Sequence, residues 1–116
     1  MAIPEAIERE ATKEVEAFCD GRVPHELRDQ VRLEFFVRGN AITIVERRPR
    51  RSPDFGPDWN SMKVGQVRYV PAAGAWALYC SDRNGRWSRY LDAEPSNDIR
   101  SLLNEIDADP TGIFWG

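Results

Sequence analysis

A cluster of arginines dominates the chemistry that the sequence offers. The segment ERRPRRSP, residues 46–53, carries Arg47, Arg48, Arg50 and Arg51. Arginines at this density can neutralise phosphates, and each phosphate contact gains affinity by releasing a counterion. The cluster therefore predicts a surface that binds a polyanion, although the same arginines could instead pair with acidic side chains of this chain or of a neighbour.

A second set of residues extends this predicted surface. In the sheet argued below, Arg68 and Arg86 share a solvent-facing side with three aromatic rings, those of Phe36, Tyr79 and Tyr90. Aromatic rings beside basic groups are typical of platforms on which nucleic-acid bases stack. We therefore expect these five residues to bind a polyanion and to stack or pack, even though the sequence has no recognised RNA- or DNA-binding motif.

Metal and thiol chemistry have weaker support. Cys19, His25 and Cys80 are the only soft metal ligands apart from methionine. Their spacing matches no zinc pattern, and no fourth soft ligand completes the set. Nothing in the sequence brings a thiol next to the histidine as a nucleophile and its base. We predict no metal, no cofactor and no catalytic residue.

Carboxylates could still support a metal-dependent nuclease. Asp29, Glu34 and Glu46 lie on or beside a predicted hairpin, and such nucleases hold Mg²⁺ with acidic side chains next to basic ones. The hairpin register, however, directs Glu34 and Glu46 to opposite faces of the sheet, so they cannot share one ion. Glu46 lies on the apolar face, where a structural ion pair with Arg48 is the favoured explanation.

Composition bounds the class of protein. With 116 residues and 41% hydrophobic residues, the chain predicts a single domain over residues 1–116. It has no apolar run of ~20 residues, no secretory signal pattern and only two cysteines, which favours a cytosolic protein without a membrane partner. Residues 22–91 hold thirteen basic and seven acidic side chains, while both ends are acidic. A basic centre is thus hidden within a net charge of -3.

Helices are predicted near both ends of the chain. Residues 4–20 have Pro4 at a first helical position and Gly21 as the stop, and residues 97–107 have Ser96 as the N-cap. Each segment has one apolar stripe at spacings of three or four. The stripes are Ile3, Ile7, Ala11, Val15 and Phe18 in the first helix, and Ile99, Leu102, Leu103 and Ile106 in the second.

The basic centre predicts strands. Residues 31–48 form a hairpin candidate in which the two-residue turn Gly39-Asn40 places Val37 opposite Ile42. The alternation of apolar and polar residues then gives the hairpin one apolar and one polar face.

Three further strands follow, at residues 65–70, 75–82 and 86–91. If Asn84-Gly85 is a two-residue turn, Tyr79 lies opposite Tyr90 on the solvent-facing side, and Trp87 lies on the apolar side. The resulting fold class is α+β: a five-stranded, mainly antiparallel meander with the N-terminal and C-terminal helices packed on one face.

Two apolar segments lie outside these elements. The prolines and the glycine of the loop 49–62 exclude regular structure, and we expect Phe55 and Trp59 to hold it against the body as a cover. Residues 109–112 have the sequence of a type I turn. This turn should direct the apolar residues 113–115 back onto the fold rather than into solvent.

Three strings in the sequence resemble a known family. They are RDQVRLEFFVRGNAITIVERRP, DRNGRWSRY and EIDADPTGIFWG. Together they are similar to a small bacterial family catalogued as domain of unknown function 3024, over most of residues 22–116. The resemblance implies a small bacterial cytosolic protein with no established activity to transfer to any residue.

The leading functional hypothesis is a non-enzymatic binding module whose Arg-rich centre contacts nucleic acid or another polyanion. The alternative is a protein-interaction or homodimerisation module, in which the same face or the tail meets another chain. A metal-dependent nuclease or hydrolase comes third.

Overall fold

Two helices and one five-stranded sheet make up the described part of the chain, residues 3–49 and 59–115 of a computed structural model. The elements are, in order, α1 (Glu5–Arg22), a 3-10 turn (His25–Leu27), β1 (Arg32–Arg38), β2 (Ala41–Pro49), β3 (Trp59–Val70), β4 (Ala75–Ser81), β5 (Trp87–Arg89) and α2 (Ile99–Ala108). All neighbouring strands pair antiparallel in chain order. The predicted α+β meander is confirmed. Neither helix of this part is long and apolar enough to cross a membrane.

The end of α1 and the start of α2 differ from the prediction for local reasons. Helix α1 continues through Gly21 to Arg22 and ends where Val23 precedes Pro24, because a residue before proline is disfavoured in helical conformation. The N-cap of α2 is Asp98, whose carboxylate accepts a hydrogen bond from the backbone N–H of Arg100 at 3.0 Å. The predicted cap, Ser96, is wrong, since its backbone exchanges two hydrogen bonds with Trp76.

The predicted register of the first hairpin is confirmed. Val37 pairs with Ile42 around the Gly39-Asn40 turn, where Gly39 has φ +60°. Strand β2 extends to Pro49 and β3 begins at Trp59 rather than at Gly65, so the predicted loop 49–62 is wrong at its first residue and over its last four, 59–62. The last four residues follow the last proline of the loop, and nothing there prevents pairing with the end of β2. Phe55 and most of the predicted cover lie outside the described residues.

The register between β4 and β5 differs from the prediction by one residue. Ser81 pairs with Trp87 and Tyr79 pairs with Arg89, so the loop between the strands has three residues, 83–85, instead of two. The Asp82 carboxylate holds this loop by accepting hydrogen bonds from two backbone N–H groups, at 2.8 and 2.9 Å. Gly85 closes the loop with φ +77°, as is common in three-residue hairpin loops.

This one-residue difference moves side chains to the other face of the sheet. Trp87, predicted on the apolar face, lies on the opposite face together with Tyr79. Tyr90, predicted to be exposed beside Tyr79, is only 4% exposed and belongs to the core. Its hydroxyl donates to Glu105 at 3.0 Å, and burial together with this contact raises the pKa of the phenol.

The core lies between the helices and one face of the sheet. That face contributes alternate residues of the strands, and each helix contributes its predicted apolar stripe. The side chains with almost no exposure are Val15, Ile42, Ile44, Val67, Leu78, Leu102 and Ile106.

The C-terminal residues pack against this core, as predicted. Phe114 is 4% exposed, and its ring centroid lies 5.0 Å from that of Tyr90. The Asp109 carboxylate accepts hydrogen bonds from the backbone N–H groups of Phe114 and Trp115, at 3.1 and 3.0 Å. The indole N–H of Trp115 donates to the Ile106 carbonyl at 2.7 Å. The tail is therefore part of the fold.

Candidate nucleic-acid interface

The face of the sheet opposite the helices, here called the outer face, carries most of the basic side chains of the strands. Its residues follow from the strand register, because side chains alternate between the two faces. Among the described residues, the acidic side chain that the register places on this face is Glu34. The basic ones are Arg32, Arg38, Arg47, Lys63, Arg68 and Arg89.

Internal ion pairs neutralise only a small part of this charge. Glu34 accepts a hydrogen bond from Arg47 Nη1 at 3.1 Å, so this carboxylate already has a partner on the outer face. Arg38 and Arg89 are exposed and make no ion pair with any described residue. The outer face therefore keeps an excess of positive charge that is open to a ligand.

The predicted arginine cluster is divided by the same alternation. Arg47 lies on the outer face, whereas Arg48 points to the side of the helices. There its Nε donates to Glu46 at 2.7 Å, which confirms the predicted structural ion pair. Arg50 and Arg51 lie outside the described residues. The prediction that Arg86 lies on the outer face is wrong, because it precedes Trp87 and alternation directs it to the other side, where it is exposed at the hairpin end.

A hydrogen-bonded row crosses the middle of the outer face. The Arg68 guanidinium stacks on the Tyr79 ring at 3.9 Å, and its Nε donates to Gln66 Oε1 at 2.6 Å. Gln66 Nε2 in turn donates to the Thr43 hydroxyl at 2.8 Å, and both Gln66 and Thr43 are buried. These contacts restrain Arg68 and orient its charge before any ligand binds.

A groove of about 370 Å³ lies on this face. Two aromatic residues from opposite edge strands line it, Phe36 from β1 and Trp87 from β5. Phe36 is 50% exposed. Lys63 lies on β3, the middle strand of the sheet. Its ammonium is 5.5 Å from the centroid of the Trp87 ring. The other lining residues are Arg38, Ala41, Thr43, Val45, Ser61 and Gln66.

Of the three predicted stacking residues, two are therefore on the outer face and one is not. Phe36 and Tyr79 lie there, while Tyr90 is replaced by Trp87, which the sequence reasoning missed. The string DRNG, residues 82–85, contained a signal for the loop length that puts Trp87 on this face. An Asp that can accept backbone hydrogen bonds, followed three residues later by Gly, is typical of a three-residue loop.

The thiols and the histidine do not form a second site. Cys19 is buried on α1, and burial, reinforced by Asp20, Glu16 and Glu34, raises its pKa to about 12. The thiol is therefore protonated at neutral pH and is a poor nucleophile. Cys80 is buried near Ser88, and His25 is exposed in the 3-10 turn. Within residues 3–49 and 59–115, no three His, Cys, Asp or Glu side chains are grouped to hold a metal ion.

Comparison with known protein families places the chain in a family. A family model described as "Domain of unknown function (DUF3024)" matches residues 3–116, nearly the whole chain. No curated protein and no solved structure matches.

Proposed function

The chain belongs to the DUF3024 family, and from that premise we propose that it is a non-enzymatic module that binds nucleic acid on its outer face. One observation supports the proposal above the others. The helices cover one face of the sheet, and the uncovered face carries six basic side chains against the single carboxylate of Glu34 among the described residues. A polyanion complements such a face, since the local field determines the choice of partner.

The proposal also covers the cellular compartment of the protein. We place the protein in the bacterial cytoplasm, where nucleic acid is abundant and where free thiols such as those of Cys19 and Cys80 stay reduced. The arginines of residues 47–51 are proposed to add phosphate contacts at the end of β2. For Arg48 this contact would compete with the Glu46 ion pair.

Salt dependence tests the proposal. Labelled single-stranded and double-stranded oligonucleotides are titrated with protein, and binding is followed by fluorescence anisotropy at about 50 and 200 mM salt. If a single strand makes about four phosphate contacts, its affinity will fall roughly 50-fold between these concentrations. Absence of binding at the lower salt concentration would overturn the proposal.

A pair of matched variants locates the binding face. Arg38→Gln with Arg89→Gln removes two outer-face charges and should lower the salt slope for a single strand by about 1.4. Arg9→Gln with Lys13→Gln removes the same charge from the exposed side of α1 and should leave the slope unchanged. Equal effects of both pairs would show that net charge, and not the outer face, governs binding.

Self-association is the second candidate function, supported by the charge on the opposite side of the molecule. A cavity of about 440 Å³ between α1 and the start of α2 is lined by Glu10, Glu14 and Asp98, with Arg100 paired to Asp98 at 3.1 Å. The basic outer face of one copy could meet this acidic region of another.

Sedimentation velocity across a dilution series at low salt distinguishes this candidate. Head-to-tail association should give a sedimentation coefficient that rises with protein concentration and falls when salt is added. A monomer at every concentration would contradict it and leave the outer face available to nucleic acid.

The third hypothesis, a metal-dependent nuclease, has no geometric support among its proposed ligands. Glu34 and Glu46 lie on opposite faces of the hairpin and each is ion-paired with an arginine. Asp29 is exposed in the turn before β1.

A further inference from the structure

We infer that the groove on the outer face receives unpaired bases of a single-stranded nucleic acid, which stack on Phe36 and Trp87. This inference rests on the proposed function and specifies its ligand. It predicts a preference for single strands over duplexes, with little preference for base sequence.

The two aromatic side chains support stacking. Phe36 exposes half of its surface, whereas its neighbours Phe35 and Val37 are partly buried and pack against the core on the other face. Trp87 lines the same groove from the other edge of the sheet. Base stacking on an aromatic ring is favourable for every base, since every base has a π face.

The groove is large enough to receive bases of a strand. Its volume of about 370 Å³ is within the range of small-molecule sites, roughly 300–1,000 Å³. The β2 side chains on its floor, Ala41, Thr43 and Val45, are small, so they leave room above the sheet. In a duplex the bases are already stacked and paired, and their faces cannot reach such a groove.

Tyr79 has a different role from Phe36 and Trp87. The Arg68 guanidinium covers its ring at 3.9 Å, so this face is occupied by the protein itself. Tyr79 therefore packs against Arg68 and supports it, and it does not line the groove. The cation over the Trp87 ring, Lys63, is farther away, at 5.5 Å, so Phe36 and Trp87 are the aromatic residues proposed to stack.

The polar side chains on the floor of the groove explain why we expect little preference for base sequence. Direct reading of a base needs donors and acceptors that are not already engaged. The amide of Gln66 uses its nitrogen to donate to Thr43 and its oxygen to accept from Arg68. Gln66 and Thr43 are also buried, so their remaining donors and acceptors offer little to distinguish one base edge from another.

Lys63 supplies the phosphate contact beside the rings. Its ammonium lies 5.5 Å from the Trp87 centroid and donates one hydrogen bond to the Gly85 carbonyl. An ammonium has three donors, so two remain for a phosphate of the strand whose base is stacked.

Abasic oligonucleotides separate stacking from charge. The probes are a labelled oligothymidine of about twelve nucleotides, the same strand with abasic sites in place of the bases, and a duplex of equal length. We expect oligothymidine to bind at least ~10-fold more tightly than the abasic strand, because each stacked base contributes roughly 5- to 150-fold. The duplex should bind more weakly than oligothymidine at equal salt.

Variants assign the effect to the two rings. Phe36→Ala or Trp87→Ala should reduce oligothymidine affinity toward that of the abasic strand and leave abasic binding unchanged. Phe36→Tyr and Trp87→Phe keep a ring and should keep most of the difference, which serves as the control for folding. Oligothymidine should also quench the tryptophan fluorescence of the wild type more than that of Trp87→Phe.

The outcomes distinguish this inference from the proposed function. Equal affinity for abasic and base-bearing strands, with a steep salt dependence, would overturn stacking and leave the nucleic-acid proposal intact. Equal binding of duplex and single strand would also overturn it. Failure of every probe to bind at low salt would overturn both.

Discussion

Replacing Phe114 by alanine is expected to lower the free energy of unfolding by about 3 kcal/mol and the melting temperature by about 10 °C. Phe114 is almost fully buried, and its ring contacts Tyr90 in the core. Truncation would remove that buried area and leave a cavity beside Gly65, whose ideal Cβ position is 3.4 Å from Phe114 Cδ1. Thermal and urea unfolding followed by circular dichroism measure both quantities.

The neighbouring residue provides the control. Ile113 is 45% exposed, so Ile113→Ala should change the free energy of unfolding by less than about 1 kcal/mol. Deletion of residues 113–116 should lower the melting temperature by about 10 °C or more, since it also removes Phe114. An unchanged melting temperature in the deletion would mean that the tail does not stabilise the fold and is available to a partner.

Replacing Gly65 by a bulkier residue is also expected to lower the free energy of unfolding strongly. Gly65 faces the core on β3, and a Cβ there would lie 3.1 Å from Ile106 Cδ1. Gly65→Val should therefore lower the free energy of unfolding by about 3 kcal/mol, because overpacking displaces α2 or the tail. Gly65→Ala should cost about 1 kcal/mol, as measured by urea unfolding.

A double-mutant cycle shows whether that contact is the cause. Ile106→Val removes Cδ1 and alone should cost about 1 kcal/mol, but in the Gly65→Ala background the cost should nearly vanish. Gly21→Ala is the matched control, because nothing lies within 4 Å of its Cβ position and α1 should gain about 0.5–1 kcal/mol from the alanine. Additive effects of the Gly65 and Ile106 substitutions would contradict the proposed contact.

Local patterns in the sequence were sufficient for most of the fold. The Gly39-Asn40 turn and the alternation around it determine the first hairpin, and the stripe of Ile99 to Ile106 determines the buried side of α2. The same alternation predicted that Glu46 would share the face of Ile44 and need Arg48 as a partner. Each of these conclusions depends on interactions between residues that are close in the chain, which is why one sequence was enough.

The candidate site was predicted less completely, because its composition depends on contacts between distant segments. Six arginines and three aromatic residues were predicted from the strands and the basic loop, but alternation then placed Arg48, Arg86 and Tyr90 on the other side of the sheet. The extension of β3 back to Trp59, with Lys63 on the outer face, required the long partner strand β2. No pattern within residues 59–63 alone reveals that pairing.

By itself, the sequence determined the α+β meander, the apolar face of β1 to β4, and the basic character of the opposite face. Only the tertiary structure decided which aromatic residue completes that face. A loop of two residues would have put Tyr90 there, and the three-residue loop held by Asp82 puts Trp87 there instead. The reason is physical: side chains alternate with a period of two, so one additional loop residue exchanges the faces of all that follow. Tyr90 then packs in the core against Phe114, a residue of the distant tail.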